Sequence, residues 1–85
     1  MSDVMKSFKK GDRVRVINFG IISNESVRFD AHREGREVAQ KKGSGHVCQV
    51  IDDYKVNGFA AYLVKVTSCA VGVFAADELE PAQGP

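Results

Sequence analysis

Residues 69–81 read CAVGVFAADELEP, an apolar run from Ala70 to Ala76 that passes directly into Asp77, Glu78, Leu79, Glu80 and Pro81. Side chains alternate along a strand, so Val71, Val73 and Ala75 fall on one side and Gly72 and Phe74 on the other. The larger set of branched residues marks the first side as the core. ADELEP then reads as one helical turn and a brief last strand, with Leu79 closing the core. An ending of this kind belongs to a small all-β domain.

Working back from that ending, three more strands stand out. AYLVKVT (61–67) places Tyr62, Val64 and Val66 on one face and Leu63, Lys65 and Thr67 on the other. GHVCQVID (45–52) is rich in β-branched residues, and Asn57-Gly58 supplies the positive φ of a tight turn between the two. At the other end of the chain, FKKGDRVRVINF (8–19) opens on a Lys-Lys-Gly-Asp turn. Val14 and Val16 then alternate with Arg13 and Arg15, and the phase falters at Ile17 and Phe19, which suggests a bulge or an outward apolar patch.

Residues 20–43 are a long excursion. Asp30 as N-cap, Glu34 and Glu37 early, Lys41 and Lys42 late and Gly43 as a stop are helical signals that suit the helix dipole. Gly35 interrupts them, and only Ala31, Val38 and Ala39 form an apolar face, so a short helix and a loop both remain open. The expected architecture is a single five-stranded barrel, mainly β. A long loop or short helix falls at about 20–43 and one helical turn at about 76–79. The domain spans 8–81, with tails at 1–7 and 82–85.

Eighty-five residues make one domain. A chain this short buries roughly 60–65% of its unfolded surface, which makes self-association a natural supplement. There is no apolar run of membrane-crossing length and no signal-peptide h-region, so a cytoplasmic location is expected. Net charge is +1, but residues 1–42 carry ten Lys or Arg against six acids while residues 43–85 carry two against five. That polarity leaves open a basic side facing a nucleic acid.

The segments KKGDRVRV (9–16), GSGHVCQVID (43–52), YLVKV (62–66) and VGVFAADELEP (71–81) together resemble the SH3-like barrel outline. That superfamily includes KOW-type RNA-binding domains and a small photosystem I subunit, and its motifs are mainly structural. GDRVR (11–15) and VGVFAADELE (71–80) also resemble segments of the plasmid-borne type II dihydrofolate reductases, SH3-like barrels that assemble as tetramers around a shared pore. On that likeness the reductases' pore glutamine falls on Gly72, their isoleucine on Val73 and their tyrosine on Phe74. Gly72 has no amide and Phe74 no hydroxyl, so the resemblance implies kinship of the strand without the recognition chemistry.

Several side-chain groups remain to be weighed as sites. His46 and Cys48 lie two apart, but a zinc site needs about four ligands and a Cys nucleophile needs an oriented base. Packing explains them better, and Cys48 and Cys69 read as inert core thiols. Asp77, Glu78 and Glu80 read as solvated acids. No catalytic group, cofactor or metal is expected. Ile17, Phe19, Leu63 and Phe74 sit on the parity opposite the inferred core and form the expected protein interface of a homodimer or tetramer. Lys9, Lys10, Arg13, Arg15, Arg28, Arg33 and Arg36 are the alternative, a basic face for RNA or single-stranded DNA. A reductase-like nucleotide-binding protein is a further alternative.

Overall fold

The computed structural model describes residues 7–56 and 58–82. In chain order it contains β1 (Arg13–Val16), a 3-10 turn (Asn24–Ser26), α1 (Asp30–Lys42), β2 (Val47–Val56), β3 (Phe59–Thr67), β4 (Ala70–Ala75), a second 3-10 turn (Ala76–Glu78) and β5 (Leu79–Pro81). The strands form one antiparallel sheet in the order β4-β3-β2-β1-β5, with β4 and β5 as its edges. The excursion at 20–43 resolves into a 3-10 turn followed by a thirteen-residue helix.

Turn chemistry fixes the register. Gly58 takes φ +84° where Val56 faces Phe59 across the hairpin; Asn57 lies outside the described residues. Two irregularities bend the long strands. Ile51 is the extra residue between the Val50–Val64 and Asp52–Leu63 pairs, and Val66 is extra between Lys65–Val71 and Thr67–Ala70. The first sends Val50 and Val56 to opposite sides of the sheet, although their spacing is even. The expected disturbance at Ile17 is instead the end of β1, where the Ile17 N–H donates to Glu78 O at 2.8 Å.

Two cores result. Val14, Val16, Cys48, Val50, Tyr62, Val64, Phe74 and Leu79 form the first, joined by Ala39 from α1. Ile22, Val27, Val56, Ala61, Val73 and Ala75 form the second, on the other side of β4 and under the connection to α1. The alternation expected for β4 therefore does not hold, because both of its faces are covered. Val73 and Phe74 are each fully buried, and Val71 is only half-buried.

The helix is seated on β4 through two glycines. A Cβ on Gly35 would lie 2.1 Å from Val71 O, and one on Gly72 would lie 2.9 Å from Arg36 N. A glycine in mid-helix costs about 1 kcal/mol against alanine, and here it permits backbone to rest on backbone. This covers an edge strand that would otherwise expose unpaired groups. Asp30 is the first helical residue rather than the N-cap, a position held by Phe29 without a side-chain bond. Gly43, at φ +88°, ends the helix by donating to Ala39 O.

Candidate functional site

The strongest polar feature is a fully buried ion pair. Arg36 Nη1 donates to Glu78 Oε1 at 2.8 Å and Nη2 to Glu78 Oε2 at 3.0 Å, with both side chains at 0% exposure. The other guanidinium bonds reach Asn24 Oδ1, Val73 O, Phe19 O and Ile22 O, while the Arg36 guanidinium carbon lies 5.0 Å from the centre of the Phe74 ring. Glu78 in turn accepts from the N–H groups of Ala75, Ile21 and Ile22. Burying such charges is tolerable only when their bonding capacity is met, as it is here. Arg36 leaves the expected basic face, and Glu78 is not a solvated acid. Together they tie residues 19–24 to α1, β4 and the last turn.

That tether sets the wall of an apolar groove of about 590 Å³. Ile21 and Ile22 line it from the connection before α1, Phe59, Ala60 and Tyr62 from β3, Ala75 from the end of β4 and Ala76 and Asp77 from the turn after it, together with Ser7. The Tyr62 hydroxyl accepts the Phe8 N–H at 3.0 Å, which anchors that lining side chain. Phe59 is 67% exposed and Ile21 50% exposed, the first and third most exposed of the large apolar side chains among the described residues.

The expected interface does not assemble. Phe74 lies in the first core at 0% exposure because α1 and Arg36 cover it. Phe19 is half-buried with its ring 6.3 Å from that of Phe74, and Leu63 is half-buried on the second core. Of the four, Ile17 alone is exposed, at 44%. Ile21 and Phe59 were the missed residues. Their signal was an apolar pair inside a loop and an aromatic directly after Asn57-Gly58.

The basic residues are dispersed as well. Arg13 is exposed, and Arg15 is half-buried 3.7 Å from Glu80. Lys9 is exposed, and Lys10 lies 3.8 Å from Asp52. Arg33 donates to Val27 O and Arg28 O and lies 3.4 Å from Asp30. Arg28 remains exposed on the connection before α1. Register places Gln49 beside Arg13 and Lys65 beside Gln49, so the outer sheet face gains a lysine the sequence reading left out.

His46 precedes β2, and its Nε2 lies 2.6 Å from Val66 O. Burial pushes the Cys48 thiol above its ordinary pKa, which keeps it protonated and poorly nucleophilic. Cys69 is exposed at the β3–β4 turn rather than in the core, and both thiols are free. Among the described residues no group of three His, Cys, Asp or Glu is placed to hold a metal, and no helix is long and apolar enough to cross a membrane. Gly72 and Phe74, where the reductase likeness would put its ligand-binding groups, lie buried at the seat of α1.

No protein-family model, no curated protein and no solved structure matches the chain.

Proposed function

We propose that this protein is a non-catalytic binding and assembly module that self-associates through the groove between Ile21 and Phe59. The observation that carries this reading is the adjacency of a knob and a hole on one surface. An exposed phenylalanine borders an apolar groove lined by Tyr62 and by the small side chains of Ala60, Ala75 and Ala76. A two-fold interface needs a patch complementary to itself, and a patch holding both features meets that condition. Each Phe59 ring seated in a partner's groove contributes about 1.5–3 kcal/mol from burial. The strand order, in which β5 returns beside β1, supports an SH3-like small barrel as the scaffold.

Sedimentation equilibrium from micromolar to submillimolar concentration tests the assembly. We expect a reversible dimer, and we expect Phe59→Asp to shift it to monomer without changing the circular dichroism. A wild-type protein that stays monomeric throughout that range overturns the reading.

A further inference from the structure

Away from the groove, the start of α1 meets the β2–β3 hairpin through a chain of rings. Phe29 and His32 lie 5.4 Å apart between ring centres, and His32 and Tyr54 5.3 Å, both edge-to-face. Phe29 is 58% exposed, so one end of this chain offers its ring to solvent. At the other end, Tyr54 lines a small crevice together with Arg28 and Lys55. Both of these cations are exposed, and neither has an ion-pair partner among the described residues. Asp30, the first residue of α1, is engaged by Arg33 at 3.4 Å.

An open ring at one end of this short chain and two unpaired cations at its other end offer the two features that a single-stranded nucleic acid requires. Bases need a flat apolar face, and phosphates need mobile positive charge. The ring chain also holds Phe29 against the fold, which lowers the ordering cost of a stacked complex. We infer that the Phe29 surface binds single-stranded nucleic acid, with a base stacked on Phe29 and flanking phosphates held by Arg28 and Lys55. This site shares no residue with the groove proposed for assembly. It also differs from β1 and the turn before it, because Arg15 and Lys10 there are ion-paired while Arg28 and Lys55 have no ion pair among the described residues.

The test is fluorescence anisotropy with short labelled oligouridylate and oligothymidylate at low salt. Two phosphate contacts predict a slope of about −1.4 for log affinity against log salt. Phe29→Leu keeps apolar volume but removes the ring, and should weaken binding on the order of tenfold or more. Phe29→Trp should restore it, and Arg28→Glu with Lys55→Glu should abolish it. Arg13→Glu should leave affinity within about twofold at moderate salt, since that charge lies elsewhere and is screened. Thermal melts of each variant identify any that fail to fold. Equal affinity for the two oligomers supports stacking and charge alone, and a preference for oligouridylate adds a contact to the ribose hydroxyl. Absence of binding by the wild type at low salt overturns the inference. So does binding that folded Phe29→Leu retains, that folded Phe29→Trp fails to restore, or that Arg13→Glu removes.

Discussion

Two Arg–Glu pairs occupy opposite ends of the burial scale. Arg36 and Glu78 are fully enclosed, meet at 2.8 and 3.0 Å, and between them bond backbone groups of residues 19–22 and of β4. Arg15 and Glu80 face each other across β1 and β5 at 3.7 Å, with roughly a third to a half of each side chain in water. Sequence offers no distinction, since both acids fall within DELE (77–80) and both arginines precede an apolar or half-apolar stretch. What separates them is whether solvent can replace the partner. Where it cannot, the pair dictates the path of the chain; where it can, the pair follows a path set by other forces.

The contrast is broken most directly by removing one member of the buried pair. Glu78→Gln leaves the Arg36 charge enclosed without its counter-charge and should cost about 3–5 kcal/mol. Against a total stability of about 5–15 kcal/mol, that approaches the whole margin of a small domain. In thermal melts we expect Tm to fall by more than about 12 °C. Replacing both residues by leucine should not recover stability as it does for an isolated buried pair. Phe19 O, Ile22 O and Val73 O would then lose their donors, at about 1–3 kcal/mol for each group left buried and unpaired. If the double variant melts like the wild type, the pair is not the fastening described above.

A second substitution acts through the helix that delivers Arg36. Gly35→Ala in a free helix is worth about 1 kcal/mol of stabilisation. Here the new Cβ would meet the Val71 carbonyl at 2.1 Å, a backbone atom that cannot swing aside. The helix must lift from β4, drawing the guanidinium away from Glu78. We expect a net loss of about 2–4 kcal/mol, of the size seen when a packed core is forced apart. A chemical-denaturation midpoint above that of the wild type would show the close seat to be unimportant.

These two residues also mark how far the sequence could be read. The strands were legible because Val14, Val16, Tyr62, Val64 and Val66 follow a period of two against one core. The last helical turn was legible for the same reason, with Leu79 buried beyond it. Where a second layer intervenes, the period loses its meaning. Gly35 looked like an interruption and is the seat of a helix; Phe74 looked outward and is enclosed by that helix. Arg36 and Glu78 carried ordinary surface identities, and only their meeting across forty-two positions makes them internal. The groove was illegible because its walls come from a loop, a hairpin end and a turn that no periodicity relates. Ile21 and Phe59 line one groove because Glu78 holds the backbone of residues 21 and 22, a link that spans more than fifty positions.

The smallest expected effect lies at the exposed pair, and it sharpens the comparison by how little it should do. Arg15→Ala or Glu80→Ala removes a contact that water and salt already weaken, so stability should change by less than about 1 kcal/mol. Raising salt should lessen even that difference, because exposed charges are screened over about 8 Å at physiological ionic strength. Enclosed charges are screened far less, so the Glu78→Gln penalty should persist nearly unchanged under the same salt. Measuring both variants across a salt series therefore separates the two pairs by response as well as by size. A Glu80→Ala penalty that equals that of Glu78→Gln and ignores salt would mean that β5 depends on its ion pair. The alternative built into the fold is that β5 is held by Leu79, buried at 0% exposure, and by the ladder pairing it with β1.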